Sequence, residues 1–169
     1  MSGAVFPLLG MTAGIALIGA AVYDQPPRIL WNASASLPIG LYALASPGPL
    51  ALGDLVAVAL PPEHAEWVAE RAYLGRSALL MKRVTALPGA EVCRIGREVL
   101  IDGTAVATAL ETDSRGRPMP VWQGCVVLTE HKLFLLLAET PDSLDGRYFG
   151  PIDATSIVAR ARPIWTRGG

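Results

Sequence analysis

The N-terminal segment constrains this chain most strongly, because residues 3–23 contain no charged side chain. As a helix, such a segment is long enough to cross roughly 30 Å of hydrocarbon. Its glycines weaken helices in water but are common in helices that span membranes. We therefore expect a single transmembrane anchor over residues 1–24 and one compact domain over residues 25–169.

Two other interpretations of the N-terminal segment stay open. Small residues at positions 19–21 would suit a signal-peptide cleavage point, although no basic region precedes the run and the run is long for a signal core. A buried helix of a soluble protein is the second alternative, and uniform apolarity over this length disfavours it. Asp24 and Arg28 give the segment a mixed flank, so charge alone does not orient it.

Beyond the proline pair at 26–27, short apolar runs alternate with turn residues, which is typical of a mainly β fold. Strands are predicted at residues 55–60, 79–87, 99–101, 104–109, 125–128, 134–137 and 155–165. Asp102-Gly103 predicts one hairpin, and residues 129–132 predict a second between their flanking strands. One helix is predicted from Pro62 to Leu74, with Gly75 ending it. The expected fold is an antiparallel β domain with one short helix behind a transmembrane helix.

Charge and cysteine content narrow the function further. The net charge of −1, without any basic run, argues against nucleic acid as a main partner. Cys93 and Cys125 lack the spacing and the neighbouring histidines of a metal or redox site. In an exported domain they predict a disulfide, with two unlinked buried thiols as the alternative. No metal or cofactor is expected.

Ser36 and Lys82 are the candidate catalytic pair. A serine beside proline and glycine is usually a turn residue, and a lysine among apolar residues usually extends its amine to the surface. In a serine–lysine hydrolase the serine is the nucleophile, and the lysine is a base once burial has removed its proton. His64 and His131 offer the competing Ser-His-Asp chemistry, but they fall in a helix turn and a predicted hairpin tip, where solvated residues are expected.

Three segments in order resemble the motif boxes of type I signal peptidases. These are residues 34–38 (SASLP), residues 81–89 (MKRVTALPG) and residues 143–150 (SLDGRYFG). The serine box variant at 32–42 (NASASLPIGLY) and the short chain with one anchor are similar to the conjugative-transfer (TraF-type) branch of that family. Ala90 and Gly146 depart from the boxes, where Asp and Ser are usual.

The residues and the resemblance together assign roles. Ser36 is the expected nucleophile and Lys82 the general base, with Arg83 as a neighbouring charge that strand alternation points to the opposite face. The backbone N–H of Ser36 is a candidate oxyanion donor, and the resemblance adds the hydroxyl of Ser34.

The third box is expected to support the base. Ser143 is expected to hydrogen-bond the lysine amine. Asp145 and Arg147 are expected on one side of an extended strand, with a solvated turn as the alternative.

The resemblance also implies a function. It implies a membrane-anchored serine endopeptidase of signal-peptidase-like fold that matures a conjugative pilin precursor, by cleavage alone or with cyclisation. The expected partners are a protein precursor and membrane lipid, at the bacterial inner membrane with the catalytic domain in the periplasm. A general signal peptidase, a non-catalytic membrane-tethered scaffold and a cytosolic self-cleaving repressor domain remain alternatives, and the predicted anchor counts against the last.

Overall fold

The computed structural model describes residues 28–167, so the anchor predicted at residues 1–24 lies outside the described residues. Neither α-helix within 28–167 has the length and apolar character needed to cross a membrane. The described part is mainly antiparallel β, as predicted. Its strands are β1 (Ile29–Asn32), β2 (Gly40–Ala45), β3 (Leu55–Ala59), β4 (Leu79–Ala86), β5 (Glu91–Ile95), β6 (Glu98–Ile101), β7 (Thr104–Thr108), β8 (Gly124–Val127), β9 (Lys132–Leu136), β10 (Ile152–Asp153) and β11 (Ile157–Thr166). Its helices are α1 (Pro62–Glu70), α2 (Gly146–Phe149) and a 3-10 turn (Ala154–Ser156).

The larger sheet has seven strands in the order β1-β2-β11-β3-β4-β9-β10. Its long strand β11 pairs with β2 on one side and with β3 on the other, and all its strand pairs are antiparallel. The apolar side chains of β3, β4 and β9 are buried and form much of the core. Strand β4, which carries Lys82, is therefore held between β3 and β9 in the interior of the sheet.

The smaller sheet has four strands in the order β7-β6-β5-β8. Cys93 of β5 faces Cys125 of β8, and the two form a disulfide with Cα atoms 4.0 Å apart, which confirms the predicted bond. The hairpin at Asp102-Gly103 is also confirmed, with φ values of 48° and 77° at the two turn residues. Positive φ at both positions is what a tight turn of this kind requires.

The second predicted hairpin is wrong, because β8 and β9 belong to different sheets. Strand β8 pairs with β5 at the edge of the smaller sheet, whereas β9 lies between β4 and β10 in the larger one. The burial of the two strands explains the separation. All residues of β8 are exposed, which suits an edge strand, but Leu133–Leu136 are all buried and require neighbours on both sides.

Helix α1 begins at Pro62 as predicted but ends at Glu70 rather than near Gly75. The backbone turns at Ala72, which has a φ of 54°, and the N–H of Tyr73 donates to the carbonyl of Val68. This left-handed residue ends the helix before the glycine.

Candidate active site

Ser34 and Ser36 lie in the segment that joins β1 to β2, residues 33–39, which we call the serine loop. Their hydroxyl oxygens are 2.9 Å apart, and the N–H of Ser36 donates to Ser34 Oγ at 3.4 Å. Ser36 is half-buried and borders an open cavity of ≈ 520 Å³. A hydroxyl in this position is accessible to an extended peptide.

The side chain of Asn32 holds the serine loop together. Its amide nitrogen donates to the carbonyls of Ser34 at 2.9 Å, Leu37 at 3.1 Å and Pro38 at 3.2 Å. Its Oδ1 accepts from the N–H of Ser34 at 3.1 Å, and the hydroxyl of Tyr42 donates to the carbonyl of Pro38 at 2.7 Å. Sequence reasoning assigned no role to Asn32. The available signal was an Asn directly before a loop, where its side chain commonly bonds nearby backbone.

Lys82 is almost completely buried, with 5% of its surface exposed. Its Nζ donates to Ser143 Oγ at 2.8 Å. Burial lowers the pKa of Lys82 to about 8, the negative charge of Asp145 opposes that change, and the positive charge of Arg147 assists it. Arg83 points to the exposed side of β4, so the cation that favours the neutral amine is Arg147 and not Arg83.

Asp145 and Arg147 form a buried ion pair, with 3% and 1% of their respective surfaces exposed. Nε and Nη2 of the arginine contact the two carboxylate oxygens at 3.0 and 3.1 Å. The prediction that the pair lies on an extended strand is wrong, because Asp145 caps the N-terminus of α2 and Arg147 lies within that helix. Arg147 also donates to the carbonyls of Leu137 and Pro141, at 2.6 and 2.7 Å. These contacts fix the segment that presents Ser143 to Lys82.

Close packing around position 146 accounts for a glycine where the third box usually has a serine. A Cβ atom at this position would lie 2.6 Å from the ring of Phe134 and 2.7 Å from the carbonyl oxygen of Leu135. No real Cβ makes contacts that close, so a serine does not fit here without movement of β9 or of the ring.

Thr140 connects the serine loop to the segment after β9. Its hydroxyl donates to the carbonyl oxygen of Ser36 at 3.1 Å, across 104 residues of sequence. Leu137, Glu139 and Thr140 border the same cavity as Ser36. No pattern in the sequence indicated this contact, because it depends entirely on how distant segments meet.

Arg94 of β5 was also missed by sequence reasoning. Only 2% of its surface is exposed, and Nη1 donates to the carbonyls of Arg147 at 2.7 Å and Pro120 at 3.1 Å. Burial lowers its pKa. The arginine thereby joins the smaller sheet to the chain around the Asp145–Arg147 pair.

The six residues assigned from the sequence therefore form two groups. Lys82, Ser143, Asp145 and Arg147 form one buried group, and Ser34 and Ser36 form the other. Within residues 28–167 no hydrogen bond joins Ser36 to Lys82; each is bonded to a neighbouring serine instead.

The remaining titratable candidates lie elsewhere or are already bonded. His64 stacks on Phe149 with ring centroids 4.7 Å apart, and its pKa is lowered by burial. His131 is exposed next to β9. Ligand atoms of Glu91, Cys93 and Cys125 lie within 4.8 Å of one another, but the disulfide removes both thiolates as metal ligands.

The chain is similar to signal peptidases and to proteins of conjugal transfer. The family model for signal peptidase, peptidase S26, matches residues 3–166. A conjugal transfer protein TraF of Agrobacterium fabrum is 37% identical over 176 residues, covering 96% of this chain and 96% of the relative. A plasmid transfer protein TraF of Escherichia coli is 32% identical, covering 94% of this chain and 93% of the relative. A signal peptidase I structure from Enterococcus faecalis matches with a TM-score of 0.39 and 18% identity, over 66% of this chain and 96% of that one.

Proposed function

Since this chain belongs to the signal peptidase family, peptidase S26, we propose that it is a membrane-anchored serine endopeptidase in which Ser36 is the nucleophile and Lys82 the general base. The observation that carries the proposal is the state of Lys82. Its amine is buried, its pKa is lowered to about 8, and Ser143 fixes its position. A lysine that acts as a base near neutral pH needs a lowered pKa, because an ordinary lysine amine stays protonated there.

The chemistry follows from these groups. Ser36 Oγ attacks the scissile carbonyl carbon while its proton passes to the neutral amine of Lys82, which still donates a hydrogen bond to Ser143. The hydroxyl of Ser34 donates to the oxyanion. The N–H of Ser36, which bonds Ser34 Oγ at 3.4 Å in this structure, leaves that bond to donate to the oxyanion as well. Collapse of the tetrahedral intermediate breaks the C–N bond, and Lys82 returns the proton to the leaving amine. The acyl group stays as an ester on Ser36.

Two acceptors can release the ester. Attack by water gives a linear product, with Lys82 again taking a proton. Attack by the N-terminal amine of the same precursor gives a cyclic product. Both routes regenerate the Ser36 hydroxyl and differ in product mass by one water.

The substrate we propose is a pilin precursor of a conjugation apparatus. Relatives named for conjugal or plasmid transfer align with nearly the whole chain, at 31–37% identity. The uncharged N-terminal segment supports an anchor in the bacterial inner membrane. The Cys93–Cys125 disulfide supports a periplasmic catalytic domain, because such bonds persist in oxidising compartments.

The test is processing of a pilin precursor in membranes that contain the full chain. Ser36→Ala and Lys82→Met are expected to lower the rate by at least about 10²-fold, since each removes a group of the reacting pair. Ser46→Ala and Lys132→Met are the matched controls, because Ser46 is exposed and Lys132 forms an exposed ion pair with Asp153.

Each outcome separates the alternatives. Mass spectrometry of the product distinguishes a cyclic from a linear chain, and cleavage of many unrelated preproteins would indicate a general signal peptidase. Normal processing by folded, inserted Ser36→Ala and Lys82→Met variants would contradict the catalytic assignment and favour a scaffold.

A further inference from the structure

A second cavity adjoins the one that contains Ser36. It measures ≈ 310 Å³ and shares Leu37, Pro38 and Arg83 with its neighbour. The serine loop thus forms a wall of both cavities, and Arg83 lies between them. We call the joined space the arginine cleft.

The charged residues of the arginine cleft are mostly positive. They are Arg83, Arg160, Arg162 and Arg167, against Asp54 and Glu139. The whole chain has a net charge of −1, so this excess is local and is not a consequence of a basic protein.

The two acids do not neutralise all four arginines. Asp54 pairs with Arg160 at 3.0 Å and also accepts from the backbone N–H of Ala51. Glu139 is 4.0 Å from Arg83. Arg162 and Arg167 are exposed, and neither forms an ion pair within the described range 28–167.

Strand β11 explains how these arginines reach the serine loop. Its pairing with β3 ends at Arg160. Among residues 28–167, positions 161–166 of β11 pair with β2 alone and leave one side of the strand open to the cleft. The N–H of Arg167 donates to the carbonyl of Ile39 at 2.8 Å, which holds the end of β11 beside the serine loop.

We propose that the arginine cleft is a subsite for an acidic side chain of the precursor, close to its scissile bond. This inference rests on the proposed function, because it concerns the peptide that Ser36 attacks. The planar guanidinium groups of Arg162 and Arg167 bind carboxylates with paired hydrogen bonds. The same groups repel a lysine or arginine of the precursor, so the cleft selects by rejection as well as by attraction.

Binding to the uncleaving Ser36→Ala full chain tests the subsite separately from catalysis. The probes are short, fluorescent, alanine-based peptides that differ only in a central pair of Glu, Gln or Lys. Anisotropy titrations at low salt are expected to show the Glu peptide binding about three- to tenfold more tightly than the Gln peptide, with the Lys peptide weakest. High salt is expected to reduce the difference, because these charges are exposed.

Charge reversal makes the prediction specific. In the Ser36→Ala background, Arg162→Glu with Arg167→Glu is expected to invert the order, so that the Lys peptide binds most tightly. Arg115→Glu is the matched control. Of the hydrogen bonds within the described part of the chain, this exposed residue makes one through its backbone N–H to Asp113, and the order is expected to persist.

Equal binding of the three peptides, absence of binding by all of them, or an order that survives the double reversal would overturn the subsite. The two proposals fail in different ways. Charge selection without any precursor processing by the wild type would refute the proposed function alone. Processing without charge selection would refute the subsite alone.

Discussion

The side chain of Asn32 makes more hydrogen bonds to the serine loop than Tyr42 or Thr140 does. It makes four hydrogen bonds to the backbone of Ser34, Leu37 and Pro38, and 8% of its surface is exposed. Three of these bonds need an N–H donor, which an amide has and a carboxylate lacks. The loop in turn sets the direction of the Ser36 N–H that we assign to the oxyanion.

Asn32→Asp and Asn32→Ala are both expected to lower kcat for precursor processing by about 10²-fold with little change in KM, because a misplaced oxyanion donor weakens only the transition state. Steady-state kinetics on folded variants checks this. Tyr42→Phe removes a single bond to the same loop and is expected to have a smaller effect. Wild-type kcat in Asn32→Asp, which keeps the shape but not the donors, would contradict this role.

At the scale of residues, the role of a side chain was predictable where the neighbouring sequence showed a recognisable pattern. Lys82 lies in an apolar run whose burial lowers its pKa, and that run is visible in the sequence. Thr140 and Arg94 were not predictable, since each contacts a carbonyl that is distant in sequence. Asp145 and Arg147 were correctly paired but wrongly placed on a strand, because a capped helix of four residues has no periodicity to detect.

At the scale of elements, the contact between α2 and β9 leaves no space beside Gly146. Gly146→Ser, the residue usual in the resembled box, is expected to lower the free energy of unfolding by about 1–3 kcal/mol through overpacking against Phe134 and Leu135. Denaturant titration measures the change. Gly75→Ser is the control, since a Cβ there meets no atom of the described residues within 4 Å. An equally small effect of the two substitutions would show that α2 and β9 separate easily.

The two predicted hairpins show which elements a sequence can define. The Asp102-Gly103 turn succeeds because its residues adopt positive φ locally and thereby set the pairing of β6 with β7. The β8–β9 hairpin fails because a short polar connection also permits a crossover between sheets. Partners that are distant in sequence determine which sheet each strand joins. Strand β8 pairs with β5, to which the disulfide links it, and β9 pairs with β4.

At the scale of the whole molecule, two sheets meet at the candidate site. The larger sheet contributes Lys82 and the serine loop between β1 and β2. The smaller sheet reaches the carbonyl of Arg147 through Arg94, which follows the disulfide-bonded Cys93. The fold therefore supports the lysine from both sheets, while leaving Ser36 at an open cavity.

Burying Lys82 also links stability to pH. Its pKa is lowered from 10.5 to about 8, so the unfolded chain binds more protons than the folded chain between these values. The contribution of Lys82 to the free energy of unfolding is expected to rise as pH increases from about 8 to 10.5. It is expected to be lowest below about pH 8, where the folded chain must hold a buried cation.

The central claim is that the neutral amine of Lys82 activates Ser36, and one paired titration tests it most directly. Lys132→Arg leaves Lys82 as the only lysine, so ¹³Cε-lysine labelling gives a single side-chain signal to follow with pH. The rate of precursor processing is measured on the same variant over the same range. We predict that the signal titrates at about 8 and that the rate rises with pH with the same midpoint. A Lys82 signal that stays protonated throughout a range in which the rate rises fully would contradict the claim.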